Sequence, residues 1–199
     1  MLLANLLDHP NILSYKIAFI NKQELWLVSE IMECGSIDRI IQALYPNGIK
    51  DQALIATILK ETLKGLIYLH QNNQIHRDVR GASILVDSDG CIKISDFGVA
   101  TAVKEGEKKN TVIGSPCWMA PEVLDQDDKS GYDFKADIWS LGITALEIAQ
   151  GKPPNSDLCT MKLILRTLNE EPPKLNESCW DDSFKEFISY CLVKDPTKR

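Results

Sequence analysis

The chain has 199 residues, with 22 Lys and Arg against 28 Asp and Glu, a formal net charge of −6 and a pI of about 5.1. This acidic balance argues against binding of nucleic acid or an anionic membrane through net charge. No apolar run approaches the roughly 18 residues that would span a bilayer, and the N-terminus lacks the basic region of a signal peptide. We therefore expect a cytoplasmic protein that binds no nucleic acid and inserts into no membrane.

Six cysteines are scattered along the chain, at positions 34, 91, 117, 159, 179 and 191. None forms a Cys-x-x-Cys pair, and the three histidines add no zinc-ligand spacing. In a chain without signs of secretion, such cysteines are typical of reduced thiols in the core. The sequence therefore predicts reduced and mostly buried cysteines.

The first 35 residues combine a helix end with two strands. Residues 1–7 are predicted to be the last turns of a helix that ends near Pro10, because proline disfavours helix in the residue before it. The β-type patterns of 12–20 and 24–32 predict two strands around a short polar turn. Residues 33–35 then form a short connector.

The middle of the chain predicts a long helix followed by a hairpin. Leu and Ile recur at three- and four-residue spacing across 54–69, which indicates a helix with one apolar face. Residues 83–86 and 91–94 are β-type runs joined by a polar turn that ends in Asp-Gly, a strong hairpin signal. A polar, turn-rich loop is predicted at 103–115.

Helices dominate the last third of the chain. Residues 137–150 are almost all apolar and are followed by Gly151, so we expect a helix in the middle of the core that stops at this glycine. Two amphipathic helices are predicted at 156–170 and 182–193. Because the chain has no repeat and no linker, we expect one α+β domain in which a strand-containing part caps a larger helical body.

Three tripeptides occur in order: His-Arg-Asp at 76–78, Asp-Phe-Gly at 96–98 and Ala-Pro-Glu at 120–122. Each alone is a weak signal, but their order, spacing and placement on a loop, a hairpin end and a helix start make the set specific. On these residues the chain resembles the eukaryotic protein kinases over essentially its whole length. The resemblance implies a single protein-kinase-like α+β catalytic domain, with a small-lobe remnant and hinge at 1–32 and a mainly helical large lobe at 33–199.

The resemblance assigns chemistry to two aspartates. Transfer of a phosphoryl group from ATP requires one carboxylate to accept the proton of the substrate hydroxyl and another to hold Mg²⁺ against the phosphates. By the resemblance, Asp78 is the catalytic base and Asp96 is the magnesium ligand. The expected cofactors are ATP and Mg²⁺.

Five more residues take supporting roles by the same resemblance. His76 and Phe97 are expected to pack the first two motifs against each other. Asp137 opens the apolar helix and is expected to fix the backbone of the catalytic loop, at a place that the helix dipole also favours for an acid. Glu122 is expected to pair with Arg199.

Two positions depart from the pattern of serine/threonine kinases. Arg80 stands where lysine is usual, and it keeps the positive charge that neutralises phosphate on a bulkier side chain. Ser83 stands where the family has a metal-binding asparagine; a serine hydroxyl can ligate Mg²⁺ but is shorter than an amide. We expect Arg80 to act in catalysis and Ser83 to share the metal with Asp96, at a cost in catalytic power.

Only part of the nucleotide site is expected in this sequence. Residues 29–32 align with the gatekeeper and hinge of kinases, so the backbone groups of Glu30 and Met32 would hydrogen-bond adenine, with Leu85 as an apolar floor beneath the ring. Neither a Gly-x-Gly-x-x-Gly loop nor a strand with the ATP-binding lysine occurs. We therefore expect a piece of a longer kinase, incomplete at both ends, with little or no activity on its own.

Three stretches are similar to the sterile-twenty group of serine/threonine kinases: 114–122, 132–154 and 191–199. Within that group the chain resembles the oxidative-stress-responsive and proline-alanine-rich kinases. The resemblance makes Ser115 the hydroxyl of the loop beside the substrate, bonded to Asp78 and Arg80.

Thr111 occupies the position at which this group carries its activating phosphorylation. A phosphothreonine would add nearly two negative charges, and Arg77 is the cation expected to receive them. We expect this modification to order residues 99–118. The expected partners are thus protein substrates and an upstream activating kinase.

Three functions stay open at this stage. The leading hypothesis is a protein kinase that transfers the ATP γ-phosphate to Ser/Thr hydroxyls of protein substrates; the segment around Arg80 also resembles some tyrosine kinases, but these lack the stretch found here before Ala-Pro-Glu. The second is a pseudokinase or regulatory fragment that binds partner proteins without efficient catalysis, which Ser83 favours. The third, a small-molecule kinase, is disfavoured because the Ala-Pro-Glu segment serves protein substrates.

Overall fold

The structure is a computed structural model that describes residues 8–104, 106–125, 130–175 and 178–199. Its strands are β1 (Tyr15–Asn21), β2 (Glu24–Ser29), β3 (Gly35–Ser36), β4 (Gln74–Ile75), β5 (Ile84–Val86), β6 (Ile92–Ile94) and β7 (Thr101–Ala102). Its helices are α1 (Ile37–Leu44), α2 (Gln52–Gln71), α3 (Pro121–Leu124), α4 (Lys135–Gln150), α5 (Thr160–Asn169) and α6 (Asp182–Cys191). This element set confirms the predicted α+β architecture.

The body of the molecule is built around α4. Nearly every side chain of this helix is buried, as its largely apolar sequence predicts, and it packs against α2 and α6. Gly142 permits the close approach of α6, since a Cβ there would lie 2.6 Å from the Cβ of Cys191. The helix ends at Gly151, whose φ of 87° suits glycine, as predicted.

Helix α2 begins two residues before the predicted run and ends two residues after it. Asp51 caps it, because its carboxylate accepts hydrogen bonds from the backbone N–H groups of Ala53 and Leu54. Its apolar face packs on β4, β6 and α4, so the helix connects the core to the sheet that carries the candidate site.

Strands β1 and β2 form an antiparallel hairpin with Phe19 opposite Trp26. The first strand begins at Tyr15 rather than at Ile12, because Leu13 N donates to Ile94 O at 2.8 Å and joins this stretch to β6 instead. The hairpin presents apolar side chains to solvent: Ile17, Phe19, Ile20, Leu25, Trp26, Leu27 and Val28.

A second sheet has the strand order β3-β5-β6. The predicted hairpin of β5 and β6 is confirmed, with Ile84 opposite Ile94. Strand β3 lies in the predicted connector and pairs with β5 through Gly35 and Ser36 alone, which is too short to leave a sequence pattern. Helix α1 follows at once, and its buried Ile37 and Ile41 were also not predicted.

Several predicted boundaries shift. Helix α5 begins at Thr160 rather than at 156, because the preceding residues form turns in which Asn155 has a φ of 61°. Helix α6 ends at Cys191, two residues before the predicted end. The helix predicted at 1–7 lies outside the described residues.

The prediction of mostly buried cysteines was wrong. Cys191 is buried and Cys117 is half-buried, whereas Cys34, Cys91, Cys159 and Cys179 are exposed. Four of the six lie in loops and turns rather than on the apolar faces of helices, which explains their exposure. No disulfide forms among them. Within the described part of the chain, no helix is long and apolar enough to cross a membrane.

Candidate active site

The loop from His76 to Ser83, called the catalytic loop below, is anchored by Asp137 at the start of α4. This carboxylate is fully buried and accepts hydrogen bonds from the backbone N–H groups of His76 and Arg77, each at 2.9 Å, and lies 2.9 Å from His70 Nε2. Burial alone would raise the pKa of Asp137, but the hydrogen bonds from His70 and from the His76 backbone hold it below its usual range. The contacts expected of Asp137 are present.

His76 links the catalytic loop to the Asp-Phe-Gly segment. Its Nδ1 accepts from the backbone N–H of Asp78 at 3.2 Å, so its Nε2 carries the proton and donates to Ser95 O at 2.8 Å. Its ring meets the Phe97 ring edge-on at 5.3 Å between centroids. The expected packing of the two motifs is therefore present.

The carboxylate of Asp78 is held by two donors. Arg80 Nε donates to Oδ2 at 3.2 Å, and the backbone N–H of Ser115 donates to Oδ1 at 3.0 Å. The side chain of Asp78 is 12 % exposed, so part of its carboxylate is open to solvent. The expectation for Ser115 needs a correction: its backbone N–H, not its hydroxyl, bonds to Asp78.

Asp96 follows β6 and has a φ of 63°, in the left-handed region that aspartate tolerates. The residue is exposed, which leaves its carboxylate open to a cation. In the described ranges no group of three His, Cys, Asp or Glu side chains could hold a metal. One carboxylate completed by phosphate oxygens and water is nevertheless the usual arrangement for Mg²⁺, so Asp96 fits this ion.

Ser83 serves the catalytic loop itself. Its hydroxyl lies 3.0 Å from the carbonyl oxygens of Asp78 and Arg80 and accepts from Arg80 N at 3.1 Å. The residue is 1 % exposed, and its own carbonyl accepts from Ser95 N at 2.8 Å. The contacts of the hydroxyl stabilise the catalytic loop, and the contact of the carbonyl joins this loop to Ser95, which precedes Asp96. None of these contacts directs the hydroxyl to a metal.

The segment 29–32 lies beside β5 and β6. The Glu30 carboxylate pairs with Lys93 Nζ at 2.7 Å, and this hydrogen bond is the main cause that lowers the pKa of Glu30. Met32 O accepts from Gly35 N at 3.0 Å, which starts the turn into β3. Leu85 stands opposite Lys93 in the sheet, so the predicted adenine-site residues occupy one region.

Arg77 connects the start of the loop from 99 to 118 to Thr111, which lies within that loop. Its Nε donates to Val99 O at 2.5 Å, and its Nη1 lies 3.5 Å from the Tyr132 hydroxyl. That hydroxyl donates in turn to Thr111 O at 2.7 Å. Thr111 is exposed, so it is accessible to modification. Only the Tyr132 side chain connects its backbone carbonyl to the Arg77 guanidinium.

The expected pair of Glu122 and Arg199 is bidentate, with distances of 2.6 and 3.0 Å. Both side chains are buried, and the Arg199 guanidinium also stacks on the Trp139 ring at 5.2 Å. This pair joins α3, which follows the substrate side of the site, to the end of the chain.

Sequence analysis missed Glu147 of α4. Its Oε2 accepts from Gly81 N at 2.9 Å and from Trp118 Nε1 at 3.0 Å, in a largely buried position that raises its pKa to about 6. The available signal was a second acid, beyond Asp137, near the end of a largely apolar helix, where a carboxylate is unusual without a partner.

Comparison with known proteins identifies the family to which the chain belongs. A family model described as the protein kinase domain matches residues 1–199. The serine/threonine-protein kinase fray2 of Dictyostelium discoideum is 46 % identical over 200 residues, which cover 98 % of this chain and 19 % of that protein. Germinal center kinase 3 of Caenorhabditis elegans is 44 % identical over 215 residues, 96 % of this chain and 36 % of that protein.

The serine/threonine-protein kinase hippo of Drosophila melanogaster is 43 % identical over 194 residues, which cover 96 % of this chain and 28 % of that protein. The chain thus spans only about a fifth to a third of the length of these relatives. The kinase-like α+β fold with a partial small lobe is confirmed. The chain belongs to the protein kinase domain family, and its similarity to these relatives confirms the predicted sterile-twenty group.

Proposed function

We propose that the protein is a serine/threonine protein kinase that transfers the γ-phosphate of ATP to Ser/Thr hydroxyls of protein substrates. The observation that carries this proposal is the Asp78 carboxylate, held at one oxygen by Arg80 and at the other by Ser115 N–H. The names of the similar proteins fray2 and hippo support the same activity.

In this mechanism, Mg²⁺–ATP supplies the transferable phosphoryl group and the charge that offsets its negative oxygens. Asp78 accepts the proton of the substrate hydroxyl, since each of its oxygens keeps a free lone pair beside the donor that orients it. Arg80 places a permanent positive charge next to that carboxylate. Asp96 provides the exposed carboxylate for the metal.

Residues 1–199 form a single catalytic domain in this proposal, with a small-lobe remnant and hinge at 1–32 and the large lobe at 33–199. The backbone of Glu30 and Met32 holds adenine over Leu85. Ser83 supports the metal site only indirectly, because its buried hydroxyl bonds within the catalytic loop and its carbonyl accepts from the backbone N–H of Ser95, next to Asp96.

The proposed regulation follows from the loop geometry. Phosphorylation of Thr111 by an upstream kinase places charge close to Arg77, and the loop from 99 to 118 becomes ordered. The proposed location is the cytoplasm, where ATP and protein substrates are available.

The first test is Asp78→Asn in the full-length protein. Loss of the general base is expected to lower the turnover number for phosphoryl transfer to a generic Ser/Thr substrate on the order of 10²–10⁴-fold. Radiolabelled phosphate transferred from ATP measures this loss, with Mg²⁺–ATP affinity followed in parallel.

Asp89→Asn is the matched control, because Asp89 is an exposed aspartate in the turn between β5 and β6. It should retain full turnover. Equal turnover of Asp78→Asn and the wild type would refute the assignment of the base.

A second candidate is a pseudokinase that binds partner proteins, and Ser83 in place of asparagine is the observation that favours it. A pseudokinase would bind Mg²⁺–ATP or a partner protein, but the full-length wild type would transfer no phosphate. The radiolabelled phosphate assay therefore separates the two candidates, because only the kinase gives labelled substrate.

A further inference from the structure

Glu147 bonds to both of the loops that hold Asp78 in the proposed mechanism. One of its carboxylate oxygens accepts from Gly81 N in the catalytic loop and from Trp118 Nε1 in the substrate loop, defined here as residues 114–122. The contact with the catalytic loop is close: a Cβ on Gly81 would lie 2.9 Å from the other oxygen, Oε1. A side chain at position 81 would therefore press on this carboxylate and displace it.

Both loops that donate to Glu147 also contact Asp78 or its partner Arg80. The Trp118 ring lies 5.9 Å from the guanidinium carbon of Arg80, and Arg80 Nε donates to Asp78 Oδ2. In the same substrate loop, Ser115 N–H holds Asp78 Oδ1. The position of the catalytic base thus depends on the register of the two loops, and Glu147 bonds to both.

The charged and titratable groups around Glu147 come from three elements. Asp38 on α1 raises its pKa, and Arg80 in the catalytic loop lowers it; both effects are smaller than that of burial. Cys117 in the substrate loop is neutral, and burial followed by the Glu147 charge raises the pKa of its thiol. Because burial has the largest effect and raises the pKa of Glu147 to about 6, the charge of this side chain changes near pH 6.

A purely structural role explains this arrangement poorly. A buried carboxylate is costly to ionise, and a neutral amide could accept the same two hydrogen bonds. The fold also tolerates unpaired indole N–H groups: Trp139 Nε1 and Trp180 Nε1 are buried without a hydrogen-bond partner in the described part of the chain. A charged acceptor for Trp118 is thus not required for folding.

We propose that Glu147, as an anion, is a positioning residue that holds the catalytic and substrate loops in register, so that its protonation lowers kinase activity. This inference rests on the proposed function. The physical reason is that hydrogen bonds to an ionised acceptor are roughly twice as strong as those to a neutral one, so protonation loosens both loops at once.

The test is the pH dependence of Glu147→Gln in the full-length protein. At pH 7.5 the variant is expected to have a turnover number about tenfold below the wild type, with the KM for ATP unchanged. At pH 5.5 about three quarters of the wild type is protonated at Glu147, so the ratio between the two turnover numbers should fall to about threefold. A ratio that stays constant between pH 5.5 and 7.5 would overturn the proposal.

Thr144→Val is the matched control, because Thr144 Oγ1 also reaches from α4 to the catalytic loop, 3.3 Å from Val79 O, without a titratable group. Any loss of activity in this variant should be the same at every pH. Trp118→Phe removes the indole N–H and its bond to Glu147 while it keeps a smaller aromatic ring, and it should reduce the pH dependence of turnover in the same direction as Glu147→Gln.

A measurement without catalysis separates this inference from the proposed function. The ¹H–¹⁵N resonance of Trp118 Nε1–H, assigned by its loss in Trp118→Phe, should shift with a midpoint near pH 6 in the wild-type chain and not in Glu147→Gln. The indole resonances of Trp139 and Trp180 serve as internal references. If the shift persists in Glu147→Gln, the inference fails even where the kinase is active; if the shift is present and no phosphate is transferred, only the proposed function fails.

Discussion

Asp137 and Glu147 lie on the same helix, and both are buried, yet their environments shift the two pKa values in opposite directions. Asp137 accepts from two backbone N–H groups and pairs with His70, which together outweigh the cost of burial. Glu147 accepts from two neutral donors and faces Asp38, so burial prevails. Asp137 thus stays ionised as a fixed anchor, whereas Glu147 titrates.

This difference predicts how Glu147 affects stability. Its folded pKa of about 6 lies above the usual 4.5, so the folded state binds more protons between these values and the stability that this group contributes falls as pH rises through them. Above pH 6 the cost amounts to about 2 kcal/mol. Glu147→Gln removes this titration, so the free energy of unfolding of the variant relative to the wild type should rise by about 2 kcal/mol between pH 4.5 and 7.

Urea unfolding of both proteins at the two pH values measures this change. Glu61→Gln is the control, because Glu61 is partly exposed on α2 and its pKa is lowered rather than raised, chiefly by its bond with Lys64. The opposite trend, or a difference that does not depend on pH, would show that burial does not dominate at Glu147.

Short motifs in the sequence were enough to single out the residues around which the proposed site is built. His76, Asp78, Asp96 and Asp137 are found where the three tripeptides and the apolar helix place them. The motifs could not reveal contacts made by the backbone, such as Ser115 N–H on Asp78, because any residue carries that group. Glu147 was missed because its partners are distant in sequence and become neighbours only in the fold.

At the scale of elements, the sequence predicted the long helices and the hairpin, but it did not predict the two-residue strands. Helix α4 and the hairpin of β5 and β6 carry many residues of one periodicity or a strong turn signal. Strands β3, β4 and β7 have two residues each and depend on tertiary pairing, as between Gln74 and Ala102. No local pattern distinguishes such pairs from a loop.

The loop from 99 to 118 gives a prediction at this scale. Arg77 bonds Val99 at its start and approaches Thr111 through Tyr132. Phosphorylated Thr111 should therefore hold the start of the loop and the segment around residue 111 close to one cation. In the full-length protein, Thr111→Ala should lower turnover by about tenfold or more and increase cleavage within 99–118 by a protease, located by mass spectrometry.

Thr160→Ala provides the comparison, because Thr160 is an exposed threonine at the start of α5, away from Arg77. It should change neither turnover nor cleavage. Retention of both activity and protease resistance in Thr111→Ala would exclude this regulation.

At the scale of the whole molecule, two loops and one sheet meet at a single site. The catalytic loop joins the segment before Asp96 through His76 and Ser83, and the pair of Glu30 and Lys93 keeps the segment 29–32 beside the same sheet. Helix α2, which packs on α4 in the core, also packs on β4 and β6 and so connects this site to the core. The account therefore requires Asp78 and Asp96 to act on one substrate complex.

A double-mutant cycle tests this requirement most directly. Asp78→Asn, Asp96→Asn and the double variant of the full-length protein are compared by single-turnover transfer of radiolabelled phosphate. Residues that act as one unit are strongly non-additive, so the double variant should be about as slow as the slower single variant. A double variant slowed by the product of the two single effects would show that the two carboxylates act independently, and would contradict the account.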